Sequence, residues 1–404
     1  METRSLALIV AVCALLTASF AALCGDAGAS QGGAATEALA LDLLEAGPRG
    51  NQITSPDSVA TALAMVGTGG VGSTADQIAE TLGLPSPAAF GSLGGLQHTI
   101  AAEQARAAEG DPDAPTLAFA NGLFTQAGFP LKPAFVGGLR EHFGAAPEAV
   151  DFAGNPAGAL GTINSWTNEH TGGLIDELFK KLPLETRLVL ADAAYLKGAW
   201  RHRFKPADTY RAPFHRTKGK VSVQFLHQAT RLPYASGHGY EAVELPYRAS
   251  TLSLLVVLPR GGKVGALERQ LGRVGLSAVV EGLSPRTVEL GIPRFHLNTR
   301  IDLIPTLEAL GLTVPFGEEA DFSGITDAEP LRIGAVEHVA DLAVDEEGTV
   351  AAAVTGVAVI GTSKQAIPRD AVAFDADHPF LFFLRDDDTG AVLFAGRVDD
   401  PTLP

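Results

Sequence analysis

The sequence predicts an α+β fold within one large domain. Strand-like runs of apolar and β-branched residues alternate with helical patterns along the 404 residues of the chain. We find no internal repeat at a period of roughly 20 to 50 residues, and no linker composition after the N-terminal segment. Because 46% of the residues are hydrophobic, the chain has ample material for a packed core.

Residues 1–29 have the pattern of a signal peptide. A basic head precedes an apolar run over residues 6–20, and small residues end the segment at Ala29. The apolar run has about 15 residues, which is shorter than the roughly 20 needed for a helix that spans a bilayer. We therefore expect cleavage before Ser30, export of the protein, and a mature domain over residues 30–404.

Both cysteines of the chain, Cys13 and Cys24, lie in this leader. The mature domain would therefore hold neither a disulfide nor a thiolate metal site, and we expect no metal and no cofactor. Retention as an uncleaved N-terminal anchor is one alternative to secretion, and a lipid anchor on Cys24 is another. It requires a small residue before the cysteine, whereas Leu23 is bulky, so we favour a secreted, extracellular protein.

The charge balance argues against a nucleic-acid partner. The chain has 46 acidic and 30 basic side chains, which gives a formal net charge of −16. Binding to phosphates requires clustered Lys and Arg, and the sequence contains no basic run. We expect no nucleic-acid binding.

Three helices are expected in the first part of the mature chain. Apolar residues at helical spacing predict a helix over residues 34–45. Ser55 and Pro56 are typical of the N-cap and first residue of a second helix. Thr74 is the expected cap of a third helix, which runs to Leu82.

The remaining elements follow from composition and periodicity. Residues 84–115 are rich in small residues and proline, which predicts loops around a short helix. Beyond them, strand-like runs occur at 116–126, 186–196, 221–226, 240–245, 252–258, 287–292 and 336–344. Helical patterns occur at 133–143, 157–171 and 302–310.

No motif of the sequence predicts catalysis. Residues 67–72 have the glycine spacing of a dinucleotide-binding turn, but they follow a helix instead of a strand, so we interpret them as an interhelical turn. The acidic residues 386–388 lie between two apolar runs and are typical of a hairpin turn. The ten histidines form no HExxH pair, and no serine lies in a GxSxG motif. We expect that the protein is not an enzyme.

A long uncharged segment is harder to explain as ordinary structure. Residues 349–363 carry no charge and directly follow the acidic turn at 345–348. As a strand they would span about 50 Å, at about 3.3 Å per residue, which is longer than most strands. Composition alone leaves two interpretations open: a permanently buried central strand, or a surface loop that is able to enter a sheet between two strands.

This segment resembles the reactive-centre loop of serpins. The run from Val344 to Thr355, Val-Asp-Glu-Glu-Gly-Thr-Val-Ala-Ala-Ala-Val-Thr, is similar to the hinge of that loop. Further serpin-like motifs follow in family order and cover nearly all of the mature chain. They include Asn51 with Ser55-Pro56-Asp-Ser58, Ile163-Asn164-Ser-Trp166, Lys197-Gly-Ala-Trp200, Pro293-Arg-Phe295 and His378-Pro-Phe-Leu-Phe382.

The resemblance implies a fold and a mechanism. The fold is a single domain of three β-sheets and eight or nine helices, with an exposed reactive-centre loop at about residues 346–372. The mechanism is suicide inhibition of a serine protease: the protease cleaves the loop and forms an acyl-enzyme, and the freed hinge inserts into the large sheet before hydrolysis is complete. We expect a monomer. The alternative is a non-inhibitory serpin-fold binding protein.

The resemblance also implies three groups of functional residues. The hinge residues that match the inhibitory pattern are Glu346, Gly348, Thr349, Ala351, Ala352 and Ala353, whereas Val354 replaces the usual alanine. A sheet-opening cluster is expected at Ser55, Ser58, Asp192 and His338. An upper cluster, where the loop enters the sheet, is expected at Trp200, Arg294 and Glu346. Asp192 occupies a position where the family commonly has Asn, and an ion pair with His338 would make sheet opening pH-sensitive.

The cleaved bond is expected between Thr362 and Ser363. Counting 17 residues from Glu346, as in the family, leads to Thr362. A small uncharged residue there suits an elastase-like or subtilisin-like protease. The loop is a few residues longer than in many relatives, so Lys364, which would suit a trypsin-like protease, remains an alternative.

Overall fold

The computed structural model describes residues 28–349, apart from 172, 174, 176 and 183–185, and residues 370–403. Several predicted features lie outside these residues. They are the leader up to residue 27, the hinge residues Ala351, Ala352, Ala353 and Val354, and the candidate cleavage residues Thr362, Ser363 and Lys364. No helix among the described residues is long and apolar enough to cross a membrane.

The described residues form nine α-helices. They are α1 (28–46), α2 (Pro56–Gly67), α3 (Ser73–Thr81), α4 (Gly91–Gly110), α5 (Pro133–Phe143), α6 (Pro156–His170), α7 (Val264–Val274), α8 (Ser277–Val280) and α9 (Ile304–Ala309).

Fifteen strands are present in the same part of the chain. They are β1 (Gln52–Thr54), β2 (Thr116–Gln126), β3 (Glu148–Val150), β4 (Leu188–Ala199), β5 (Tyr210–His215), β6 (Lys220–Gly237), β7 (Tyr240–Pro246), β8 (Leu252–Pro259), β9 (Ser284–Pro293), β10 (Phe295–Asp302), β11 (Val336–Val344), β12 (Gly348–Thr349), β13 (Val372–Asp375), β14 (Phe380–Asp386) and β15 (Val392–Val398).

The strands form two hydrogen-bonded sheets. The six-stranded sheet has the order β10-β11-β12-β4-β2-β3. The nine-stranded sheet has the order β1-β15-β14-β8-β7-β6-β9-β13, with β5 paired to β6. Strand β6 pairs with β5 and β9 along most of its length but with β7 only at its end, so it joins two parts of this sheet. These two parts and the six-stranded sheet account for the three sheets that the family resemblance implies.

The two faces of the six-stranded sheet are covered differently. On one face, Leu196 of β4 shares a hydrophobic core with Leu254 of β8 in the nine-stranded sheet. Further along the same face, Leu190 of β4 packs in a second core with residues of α2, whose 12 residues are all buried. On the other face, Val189 of β4 packs in a core with Ile163 of α6. This alternation follows from the two-residue period of a strand.

Several local predictions are confirmed. The hydroxyl of Ser55 caps α2, and Pro56 is its first residue. The glycine-rich residues 67–72 connect α2 to α3, and the acidic residues 386–388 lie at the hairpin between β14 and β15.

The predicted cap of α3 is wrong. The helix begins at Ser73, its N-cap is Gly72, and no side chain caps it. Thr74 lies within the first turn, where its hydroxyl accepts a hydrogen bond from the backbone N–H of Asp321 at 2.8 Å. A tertiary contact therefore uses the hydroxyl that the sequence pattern assigns to the helix end.

The prediction of loops around a short helix at residues 84–115 is also wrong. This region contains α4, which has 20 residues. Leu93, Leu96 and Ile100 are fully buried on one side of it, and their spacing is helical. Gly94 permits close packing, since a β-carbon there would lie 2.0 Å from the carbonyl oxygen of His142. Packing against α5 thus outweighs the low helix propensity of the glycines.

The nine-stranded sheet contains a partly buried group of charges near the β14–β15 hairpin. The Nη1 of Arg385 lies 3.0 Å from a carboxylate oxygen of Glu244 and 2.9 Å from one of Asp387. Ser253 donates a hydrogen bond to Asp387 at 2.7 Å. Burial, reinforced by the nearby Glu244 charge, raises the pKa of Asp387 from 3.8 to about 6. Two carboxylates therefore compete for one guanidinium.

We expect Asp387→Asn to stabilise the protein at pH 7 and not at pH 4. Because the folded pKa of Asp387 is above its ordinary value, the folded state binds the proton more tightly, and the free energy of unfolding falls as the pH rises from about 4 to about 6. The side chain is 39% exposed, so solvent screening limits the gain to at most about 1 kcal/mol. The measurement is the melting temperature at both pH values, with Asp388→Asn as the control. An equal change in melting temperature at pH 4 and pH 7 would contradict this account.

Candidate functional site

Two residues of the predicted hinge lie inside the six-stranded sheet. Gly348 and Thr349 form β12, which pairs with β11 on one side and with β4 on the other. Thr349 is opposite Val344 of β11, and Gly348 is opposite Ala199 of β4. Both residues of β12 are buried.

The expectation of an exposed loop from Glu346 onward is therefore wrong for its first residues. Glu346 is 6% exposed and Thr349 is fully buried, and only Glu347 among the residues from 346 to 349 is exposed. The small side chains of Gly348 and Thr349 allow this part of the chain to occupy the seam between two strands.

Below β12 the two neighbouring strands pair directly with each other. The parallel ladder between β11 and β4 extends from Val336 opposite Leu190 to Asp341 opposite Tyr195. The seam is therefore open only at its upper end. A strand that continued downward from Thr349 would have to separate β11 from β4 along this ladder.

Two glycines make the seated hinge sterically possible. A β-carbon on Gly348 would lie 1.8 Å from the carbonyl oxygen of Gly198 and 2.8 Å from the Cα of Ala199. A β-carbon on Gly198 would lie 2.8 Å from the ring of Tyr247. The backbone of β4 thus lies against the hinge at Gly348, and at Gly198 it lies against the ring of Tyr247. Neither glycine has space for a methyl group.

The three predicted residues of the upper cluster lie together. A guanidinium nitrogen of Arg294 donates to the carboxylate of Glu346, and the hydroxyl of Thr209 donates to its other oxygen at 2.8 Å. The backbone N–H of Phe204 donates to the carbonyl of Glu346 at 2.9 Å. Burial alone would raise the pKa of the Glu346 carboxyl, but the hydrogen bonds from Arg294 and Thr209 outweigh it and hold the pKa below its ordinary value. The carboxylate is therefore charged at neutral pH and anchors the start of the hinge.

Trp200 contacts the turn that precedes β12. Its indole N–H donates to the carbonyl of Asp345 at 2.9 Å, and its backbone N–H donates to the carbonyl of Glu347 at 2.9 Å. Its ring stacks on Tyr247 with a centroid distance of 4.7 Å and an interplanar angle of 25°. The environment of this indole therefore depends on the position of the hinge.

Three of the four residues of the predicted sheet-opening cluster form a chain of hydrogen bonds. The backbone N–H of Ser55 donates to Nε2 of the buried His338 at 2.9 Å. The hydroxyl of Ser55 accepts from the N–H of Ser58 at 3.4 Å. The hydroxyl of Ser58 donates to the amide oxygen of Asn121 at 3.3 Å. This chain connects β11 through α2 to β2.

The backbone places Asp192 in the middle of this cluster. In the sheet register Asp192 is opposite His338 of β11 on one side and opposite Asn121 of β2 on the other. Its side chain lies outside the described part of the structure, so the ion pair with His338 stays a prediction.

The structure adds residues that sequence reasoning did not assign to the site. Gln97 of α4 accepts a hydrogen bond from Asn121 at 3.3 Å, which extends the sheet-opening cluster. Thr209 belongs to the upper cluster. Tyr247 lies beside Trp200, and its hydroxyl contacts that of Thr349. Asn121 is detectable as a polar residue within an apolar strand run, whereas Thr209 and Tyr247 have no local signal because their partners are more than 100 residues away in the chain.

The arrangement is suited to a conformational change in the sheet. Among the residues described, no group of three or more His, Cys, Asp and Glu side chains has the arrangement of a metal site. What the site provides is a seam that already accepts a strand, fixed charges at its upper end, and a polar cluster across its middle.

Comparison with known proteins identifies related sequences. Residues 35–401 match the family described as Serpin (serine protease inhibitor). An uncharacterized serpin-like protein of Thermococcus kodakarensis is 34% identical over 356 residues, which cover 88% of this chain and 82% of that protein. The leukocyte elastase inhibitor of Bos taurus is 34% identical over 378 residues, which cover 90% of this chain and 96% of that protein.

Solved structures of the same fold are also similar. The native state of the thermophilic serpin Tengpin superimposes with a TM-score of 0.79 at 24% identity, covering 91% of this chain and 93% of that chain. Thyroxine-binding globulin in complex with thyroxine superimposes with a TM-score of 0.78 at 25% identity, covering 91% of this chain and 99% of that chain.

We expect Gly348→Ala to displace the hinge from the seam. The added methyl group would overlap the backbone of β4, so the seated position should lose about 3 kcal/mol relative to the displaced one. Displacement removes the Asp345 carbonyl from the indole of Trp200. The measurement is tryptophan fluorescence in a Trp166→Phe background, which leaves Trp200 as the sole tryptophan.

The matched control for this variant is Gly95→Ala on α4, where a β-carbon meets open space. It should leave the emission of Trp200 unchanged. If Gly348→Ala gives the same emission maximum and intensity as the parent, the hinge does not depend on this close approach.

Proposed function

The chain belongs to the serpin family, and on this premise we propose that it is a suicide inhibitor of serine proteases. The single observation that carries this proposal is β12, because the six-stranded sheet already accepts the first hinge residues as a strand. An inhibitor that works by loop insertion depends on such a seam.

In the proposed mechanism the protease does the chemistry and this chain supplies the conformational change. The protease serine attacks the scissile carbonyl and forms an acyl-enzyme. The freed N-terminal side of the loop then continues from Thr349 as a strand between β11 and β4. Insertion gives the backbone N–H and C=O groups of the loop ladder partners on both sides, and it buries a segment that has no charge to desolvate. The protease, still attached through its ester, is carried away before water can attack.

The composition of the hinge supports insertion. We propose that Ala351, Ala352 and Ala353 follow Thr349 into the sheet, since each is small and uncharged. Val354 is β-branched and strand-forming, so it remains compatible with this path. Residues 349–363 carry no charge, and this whole segment is therefore able to enter an apolar seam.

For the target we propose an elastase-like or subtilisin-like protease that cleaves between Thr362 and Ser363. A small uncharged residue on the N-terminal side of the bond suits a shallow specificity pocket. The related protein of Bos taurus is a leukocyte elastase inhibitor by name, which supports the same class of target. Lys364 remains the alternative, and it would direct the loop to a trypsin-like protease. We propose that the inhibitor acts as a monomer without a cofactor.

The second candidate is a serpin-fold protein that binds a partner and does not trap proteases. The structural similarity to thyroxine-binding globulin and the valine at position 354 favour it. The trapping experiment below separates the two candidates, because a protein of this second kind would be cleaved without forming a complex.

We propose that residues 1–29 are a signal peptide and that the protein is secreted. The apolar run and the small residues before Ser30 support this. Expression of the full chain in a secreting host should give an extracellular protein whose N-terminal sequence begins at Ser30. A membrane-bound product that carries lipid on Cys24 would contradict secretion and would indicate the anchor.

We expect Thr349→Arg to convert the inhibitor into a substrate. Thr349 is fully buried in the seam, and a guanidinium there would be desolvated without a partner. The loop should still be cleaved, while the yield of SDS-stable complex with subtilisin or elastase should fall on the order of a hundredfold. The measurement is denaturing electrophoresis after mixing the inhibitor with the protease.

The matched control is Glu347→Arg, which introduces the same side chain at an exposed position two residues away and removes only an exposed ion pair with Arg203. It should still form the complex. In both variants the released fragment should begin at Ser363, or at Gln365 if Lys364 is the reactive residue. Complete cleavage of the parent with no complex would reject the inhibitor proposal in favour of the second candidate.

A further inference from the structure

Tyr247 makes a contact with the hinge that the preceding proposals do not use. Its hydroxyl shares a hydrogen bond with the hydroxyl of Thr349, in which either oxygen is able to donate. Both side chains are fully buried. Burial raises the pKa of Tyr247, so its hydroxyl keeps its proton at physiological pH. This is a hydroxyl pair in the part of the sheet where the loop would enter.

The tyrosine is held rigidly in position. Its ring stacks on Trp200, and its backbone forms an isolated bridge with Trp200. Its backbone N–H donates to the carbonyl of Leu252 at 3.0 Å, and the absence of a side chain at Gly198 makes room for the ring. The hydroxyl is therefore preorganised to receive Thr349, and little side-chain freedom is lost when the hinge is seated.

Whether the buried hydroxyl of Tyr247 has a hydrogen-bond partner depends on whether the hinge is seated. With the hinge seated, both hydroxyls are satisfied. With the hinge displaced, the hydroxyl of Tyr247 loses this partner, and a buried hydroxyl without a partner is disfavoured by roughly a factor of ten or more. The tyrosine thus favours the seated hinge over the displaced one.

We propose that Tyr247 is a positioning residue that seats Thr349 before cleavage and so commits the cleaved loop to insertion. This inference rests on the proposed inhibitory function. After the protease has acylated, insertion competes with hydrolysis of the ester. A hinge that is already seated has completed the first step of insertion. A displaced hinge must first enter the seam, and this delay gives water more time to hydrolyse the ester.

The experiment compares single variants with the double variant in the mature full-length chain. Tyr247→Phe and Thr349→Val each remove one hydroxyl and keep the shape of the side chain. Each should slow insertion about tenfold and raise the number of inhibitor molecules consumed per molecule of subtilisin trapped. The double variant should lose no more than the weaker of the two single variants, because the same hydrogen bond is lost in all three and the double variant leaves no hydroxyl without a partner. The matched control is Tyr240→Phe, which removes the hydroxyl of a buried tyrosine in β7, and it should match the parent.

A second readout reports on the hinge without a protease. In the Trp166→Phe background, Thr349→Val should shift the emission of Trp200 in the same direction as Gly348→Ala, because both displace the hinge and neither changes the ring that stacks on Trp200. Tyr240→Phe should not. This arm tests the seating of the hinge even if the parent fails to trap any protease, so failure of the proposed function and failure of this inference are distinguishable.

Three results would overturn the inference. The first is an unchanged number of inhibitor molecules per trapped protease in Tyr247→Phe. The second is an additive loss in the double variant, which would mean that the two hydroxyls act independently. The third is a lowered melting temperature of Tyr247→Phe together with the Trp200 emission of the parent in Thr349→Val, since the tyrosine would then stabilise the fold without positioning the hinge.

Discussion

The parallel ladder between β11 and β4 closes the sheet directly below β12, so it would limit how far a strand continuing from Thr349 is able to enter, and the rest of the site is organised around it. It pairs residues Val336–Asp341 with residues from Leu190 to Tyr195 directly beneath the seated hinge. An inserted strand would replace this one ladder with two, one on each of its edges, so the backbone gains hydrogen bonds overall. It would first have to break the existing bonds. The intact chain has fewer ladder hydrogen bonds than the form with an inserted strand would have, and the bonds that must break first form a barrier between the two. A folded chain is able to store free energy for a later step in this way.

The two polar clusters lie at different heights of this ladder, and in the proposed mechanism they would act at different steps. At the upper end, Arg294 and Thr209 hold the carboxylate of Glu346, and this fixes where the hinge enters. Across the middle, His338 and Ser55 connect β11 to α2, and Ser58 continues the connection to β2 through Asn121. Because α2 is buried along its whole length, it forms a fixed base for this cluster. Separation of β11 from β4 would strain the second cluster, while seating of the hinge depends on the first.

The sequence predicted the parts of the site that depend on local patterns or on a family motif. The cap at Ser55 follows from helix chemistry, and Trp200, Arg294 and Glu346 were grouped by resemblance before the structure placed them together. Three features could not be predicted. The helix α4 is stabilised by a close approach at Gly94 that no propensity encodes, and Thr74 bonds Asp321 instead of capping α3. The role of Tyr247 depends on a contact with Thr349 across 102 residues of chain, and such a contact exists only once both sheets have formed.

The central claim is that the uncharged segment becomes a strand of the six-stranded sheet once the loop is cut. The most direct test is the melting temperature of the mature chain before and after cleavage within residues 350–369 by a metalloprotease, which cannot be trapped as an acyl-enzyme. We predict a rise of more than about 10 °C, because the inserted strand adds ladder hydrogen bonds and buries apolar surface that the intact chain leaves unused. A cleaved chain that melts at the same temperature as the intact chain, or below it, would contradict the claim.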